Sequence, residues 1–193
     1  MGAGKSSGVG TDEADEDKRR KGEIERMFSE FAPKFPDAPQ ITCEELVRDM
    51  QDNSKRLVVV DVRTKEEQDV SVIKNAIRKE DFEDLKSEFS NHKVVAYCTI
   101  GYRSGDYVQK LRAQNFDAYN LRGSILAWTH AGGELEVGSR DGGGPTNRIH
   151  TFGKNWDLAS TDFEAEYFKK PMFSLLAGMV PDVVKPWNWF KKK

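Results

Sequence analysis

The apolar positions of this chain fall into two periods that alternate along its length. Ile24, Met27, Phe28 and Phe31 recur at i, i+3, i+4 and i+7, which predicts a short amphipathic helix over residues 23–31 that ends before Pro33 and Pro36. Thr42 followed three residues later by Glu45 has capping-box spacing and predicts a helix running to about Met50. Residues 57–61 are a continuous apolar run closed by Asp61, the pattern of a strand buried on both faces. Residues 94–98 and 118–121 read the same way. Helices are predicted over 82–89, over 104–114 (from Tyr107, Val108 and Leu111) and over 123–130, the last ended by Gly132 and Gly133. Strands alternating with helices imply an α/β fold, a small parallel sheet with helices on both faces. Ligand sites in such folds gather at the carboxyl ends of the strands.

The flanks differ from this middle. Residues 1–22 are glycine, serine and charge, an acidic block running into Lys18, Arg19, Arg20 and Lys21, and predict a disordered tail. Residues 23–36 then form a short helix and linker, 37–138 one domain, 139–146 a Gly-rich linker, and 147–193 an extension with about half of the chain's aromatics, which are expected to pack back onto the domain. With 193 residues there is room for one domain and its extensions. Charged residues make up 32% and the net charge is −2, so no basic face advertises nucleic acid. Two cysteines are too few for a disulfide scaffold and fit a reducing compartment. No apolar run reaches the ~20 residues of a membrane span, and the start lacks the apolar core of a secretory signal, so a cytoplasmic location is expected.

Gly4-Lys5-Ser6 lacks the upstream glycine and strand of a P-loop and is rejected. Met1-Gly2 with Ser6 fits the myristoylation pattern, making Gly2 a lipidation candidate. If Gly2 is acylated, the basic cluster at 18–21 and the Trp187-Asn188-Trp189-Phe190 end with its lysines would suit a peripheral membrane contact. His92, His130 and His150 are scattered, so no metal site is expected.

The chemistry points to one stretch. Val94 to Tyr97 leads into Cys98, and Gly101, Arg103 and Ser104 follow where a helix begins. A thiol between a strand end and a helix amino terminus, beside a cation, is stabilised as thiolate. Gly101 can adopt the positive φ that the turn needs, and the backbone N–H groups of 99–104 can cradle an anion. Cys43, in the first turn of its predicted helix, reads as a structural cysteine rather than a resolving thiol.

Cys98-Thr99-Ile100-Gly101-Tyr102-Arg103-Ser104 resembles the C-x-x-G-x-R-S active-site loop of single-domain rhodanese-type sulfurtransferases. Three further elements resemble that family in the same order. They are Leu57 to Arg63 with Glu67, Val72 to Ile77 with Asn75 in place of the usual glycine, and Leu121 to Trp128 with Arg122 in place of the first glycine. Residues 144–156 resemble an extension that follows some of these domains. The resemblance implies a rhodanese-like fold and transfer of a sulfane sulfur from a small donor such as thiosulfate, through a Cys98 persulfide, to a thiophilic acceptor, a protein acceptor included. It implies Cys98 and Arg103 as catalytic and Thr99, Ile100, Gly101, Tyr102 and Ser104 as substrate-binding, with no cofactor. Asp61 and Arg63 are secondary candidates, either bracing the loop, facing the donor or forming a charge network at the sheet edge.

Two other functions compete. A cysteine phosphatase or arsenate reductase would need C-x5-R, whereas Arg103 follows Cys98 in a C-x4-R loop one residue shorter. A non-catalytic or persulfide-carrying module would act through protein contacts, with the aromatic extension as its docking surface.

Overall fold

A computed structural model describes residues 9–52, 54, 56–138 and 143–168. In chain order the elements are α1 (Val9–Phe31), β1 (Gln40–Ile41), α2 (Cys43–Gln51), β2 (Leu57–Asp61), α3 (Lys65–Val70), β3 (Val72–Ile73), β4 (Ile77–Arg78), α4 (Lys79–Asp84), β5 (Lys93–Tyr97), α5 (Tyr102–Arg112), β6 (Asp117–Leu121), α6 (Ser124–His130), β7 (Leu135–Glu136), β8 (Pro145–Thr146), β9 (Arg148–His150) and β10 (Glu164–Glu166). Among the described residues the central sheet has the order β1-β6-β5-β2-β4, and all its pairings are parallel. The middle strands β2 and β5 are buried for four of their five residues each, all of these apolar but Asp61, because helices cover both faces. The chain has an α/β fold built on a small parallel sheet.

The capping box opening α2 is formed: Glu45 N–H donates to Thr42 Oγ1 at 3.2 Å and Thr42 N–H to Glu45 Oε2 at 2.9 Å. An antiparallel set, β3-β7-β8, and a parallel pair, β10-β9, lie beside the main sheet. Asn75 has a φ of 63°, a left-handed conformation that glycine adopts freely and asparagine tolerates better than most residues.

The structure departs from the sequence reading at both flanks. The tail expected to be disordered is helical from Val9, and the helix expected over 23–31 is the last part of the 23-residue α1. Local ion pairs support it, Arg19 and Arg20 both bonding Glu16, and distant contacts fix it. Arg20 Nη1 donates to the Ala159 carbonyl at 2.7 Å, and Asp17 accepts from Thr161 N–H at 2.9 Å and Ser160 Oγ at 3.1 Å. Composition could not reveal partners more than a hundred residues away. The end of the expected linker, Pro145–Thr146, is a strand paired to β7. Residues 82–89 divide into the end of α4 and a 3-10 turn, Lys86–Phe89.

Ile24, Met27, Phe28 and Phe31 of α1 are each at most 3% exposed. Burying four such side chains contributes roughly 1.5–3 kcal/mol apiece. Ile149, Leu158 and Ala159 of the carboxyl-terminal segment enter the same core cluster as Ile24, Met27 and Phe31, with Trp156 and Phe163 packed against it. The described parts of both flanks therefore belong to the folded body. Gly2 and the 187–193 aromatics fall outside the described residues.

Candidate active site

Cys98 follows β5 directly, and α5 starts four residues later, so the loop between them is short and its N–H groups converge. Gly101, the N-cap of α5, has a φ of 114°. A Cβ there would also lie 2.5 Å from the Phe28 ring, so glycine is required both by conformation and by space. The Gly101 N–H points at Cys98 Sγ, 3.1 Å away, and Ser104 Oγ lies 3.5 Å from the same sulfur. Burial opposes ionisation of this thiol. The charge of Arg103, the Ser104 hydroxyl and the Ser104 and Gly101 N–H groups outweigh it and leave Cys98 below the ordinary thiol value. Cys43 is the opposite case: buried, with only a distant carbonyl for company, it is pushed up to about 12 by burial.

Behind the loop lies a set of buried polar groups. Ser104 Oγ donates to Asn120 Oδ1 at 2.7 Å, and Asn120 Nδ2 donates to the Gly101 carbonyl at 2.9 Å. The Cys98 N–H donates to Ser124 Oγ at 3.1 Å. β6 runs parallel to β5 with Ala96 opposite Asn120, which carries Asn120 to the foot of the loop.

Arg103 is held by Glu67. Its Nη1 and Nη2 donate to the two carboxylate oxygens at 2.7 and 2.8 Å, a bidentate pair, and Nη2 also reaches Thr99 Oγ1 at 3.0 Å. Glu67 is fully buried on the first turn of α3, whose capping box with Thr64 it also completes. Burial alone would raise its pKa. The Arg103 charge and hydrogen bonds, helped by Arg63 and the Thr64 N–H, hold it down at about 2.

The sequence-predicted site residues are brought together as one loop, but several of their side chains face inward. Ile100 is 2% exposed, within the core cluster, and Thr99 is turned to Glu67 and Arg103. Tyr102 lies edge-on between Phe31 and Phe35, with ring centroids 5.4 and 5.0 Å away. Asp61 and Arg63 are buried and pair with one another at 2.6 Å, and Asp61 accepts from the Tyr97 hydroxyl at 2.6 Å, tying the ends of β2 and β5 together.

Sequence reasoning missed Asn120, Ser124 and Phe152 and gave Glu67 only a structural role. A polar residue within a buried strand was the available signal for Asn120. Nothing local marked Phe152, whose ring lies over the Arg103 guanidinium at 5.9 Å.

The rhodanese-like domain model matches residues 42–131. A rhodanese-like domain protein from Staphylococcus aureus is 36% identical across 52% of this chain and 99% of its own, with a TM-score of 0.44. The chain belongs to the rhodanese-like family. A rhodanese-related protein from Thermoplasma volcanium is 24% identical across 51% of this chain and 98% of its own, with a TM-score of 0.45. A thiosulfate sulfurtransferase from Pseudomonas aeruginosa is 22% identical across 60% of this chain and 23% of its own, with a TM-score of 0.49. No curated protein matches.

Within this rhodanese-like domain Arg122, standing where the first of two glycines is usual, has a specific use. Its Nε donates to Glu25 Oε2 at 3.0 Å and its Nη1 to Gln40 Oε1 at 2.8 Å, and its guanidinium covers the Phe28 ring at 5.4 Å. It bridges α1 and β1 at the surface. Both Phe28 on α1 and Phe152 on the far flank lie outside the matched region, and both rest on the Cys98 loop.

Proposed function

We propose that this protein is a sulfurtransferase that moves a sulfane sulfur through Cys98. The observation that carries the reading is the thiol at the amino end of α5, its sulfur met by the Gly101 N–H and Ser104 hydroxyl and its ionisation favoured. In the first half-reaction the Cys98 thiolate attacks the outer sulfur of the donor. A new S–S bond forms, the donor's own bond to that sulfur breaks, and the leaving group (sulfite, for thiosulfate) departs with the electron pair. In the second, a thiophilic nucleophile attacks the outer sulfur of the Cys98 persulfide and the thiolate is restored. Neither half-reaction calls on a metal or organic cofactor.

The N–H groups of the loop offer the persulfide sulfur fixed positive dipoles. Arg103 contributes a positive field from a fixed place, because Glu67 locks it. The C-x4-R loop is sized for one sulfur atom, and a tetrahedral phosphate should fit it poorly. The test is thiocyanate formation from thiosulfate and cyanide. Wild type should turn over and Cys98→Ala should not. Activity that survives Cys98→Ala, or hydrolysis of aryl phosphates at comparable rates, would defeat the proposal.

A further inference from the structure

The Arg103 charge favours the Cys98 thiolate, and most of its guanidinium is already engaged. Both Nη groups are bonded to Glu67, Nη2 also to Thr99, and Cζ lies over the Phe152 ring, 5.9 Å from its centroid. The side chain is nevertheless 28% exposed, so it is the polar part of the site that faces outward. Two aromatic rings from outside the family-matched region thus flank the loop. Phe28 is 1% exposed, in contact with Gly101 and clamped by Arg122, and forms a fixed wall.

Phe152 is different. It is half-buried, and its backbone has a φ of 68°, in the left-handed region that a bulky side chain rarely enters. Such a conformation persists where surrounding contacts over-determine it, and these strained positions concentrate at ligand clamps and switches. Here the contacts are its own N–H donating to His150 Nδ1 at 3.1 Å, the Gly153 N–H donating to the Thr151 carbonyl at 2.8 Å, and the Thr151 N–H donating to the Glu166 carbonyl at 2.8 Å. Trp156 and Phe168 lie edge-on to the ring, each with its centroid 6.0 Å away. The backbone is bent against its preference, and the ring comes to rest on Arg103.

We propose that Phe152 is a specificity-determining residue: its ring screens Arg103 from small anions and favours sulfur donors that carry an apolar group beside the sulfane sulfur. This deepens the sulfurtransferase reading and, for the word donor, rests on it. A bare dianion must compete with the ring for the guanidinium. A donor with an organic group can lay that group on the ring.

The screening is tested without sulfur chemistry by alkylating the full chain with iodoacetate and with iodoacetamide, reagents alike in shape and different in charge. In each, an S–C bond forms at Cys98 and iodide leaves with the electron pair. The ratio of the two rates at Cys98, followed by peptide mass, cancels any general loosening. In Phe152→Gly, where glycine accepts the positive φ, the iodoacetate-to-iodoacetamide ratio should rise about fivefold, the scale of an exposed cation–π contact. Phe152→Asn, which also tolerates that backbone, should behave alike. An unchanged ratio in both variants overturns the proposal. In turnover, Phe152→Gly should lower KM for thiosulfate relative to benzenethiosulfonate. An unchanged KM ratio overturns the donor preference. A raised alkylation ratio with no thiocyanate from either donor would uphold the screen and bring down the sulfurtransferase reading instead.

Discussion

Glu67 sets what Arg103 can do. A buried carboxylate with two charge-assisted bonds to one guanidinium fixes its place and cancels much of its charge. Glu67→Gln would remove that anchor and leave a partly buried cation without its partner, which should cost about 3 kcal/mol in urea unfolding at neutral pH. The pH dependence has a definite sign. Glu67 is held at about 2 in the folded protein against an ordinary 4.5, so its stabilisation is present above about 4.5 and is lost as pH falls toward 2. The stability gap between wild type and Glu67→Gln should therefore be full at neutral pH and close across that acid window. A gap that stays constant from pH 7 to 3 would show that the Arg103 pair contributes no charge-dependent stability. That Glu67 sits four positions after Arg63 was visible in the sequence. Its pairing with Arg103, 36 residues on, depends on α3 and the loop meeting beside β2 and β5, which no local pattern encodes.

At the scale of elements, the parallel core was readable because its strands are short unbroken apolar runs, and α2 because Thr42 and Glu45 sit at capping spacing. The length of α1 was not. Its apolar stripe begins at Ile24, and the turns before it are polar and held largely by Asp17 and Arg20 reaching the 157–161 segment. Two substitutions separate what docks α1 from what decorates it. Phe28→Ala, in a well-packed site over Gly101, should destabilise by about 3–5 kcal/mol. Arg122→Ala, whose ion pair with Glu25 has partners 40% and 51% exposed, should cost no more than about 1 kcal/mol. Denaturant midpoints at constant slope would check both. Near-equal losses would mean that the Arg122 clamp, and not apolar burial, holds the helix.

The whole molecule is a rhodanese-like domain whose two flanks fold back and meet. The amino-terminal helix walls one side of the Cys98 loop through Phe28, and the carboxyl-terminal segment covers Arg103 through Phe152. Among the described residues no helix is long and apolar enough to cross a membrane. The loop from Cys98 to Ser104 was legible as a tight turn between a strand and a helix, because Val94 to Tyr97 is an apolar run and Gly101 permits the turn. Its enclosure was not, because residues at opposite ends of the chain build it. The central claim is that Cys98 carries sulfur, and intact-protein mass tests it most directly. After incubation with thiosulfate or an organic thiosulfonate, wild type should gain the mass of one sulfur atom and lose it on adding cyanide, while Cys98→Ala should gain nothing. A wild-type protein that takes up no sulfur from either donor, or a Cys98→Ala variant that takes up as much, would contradict it.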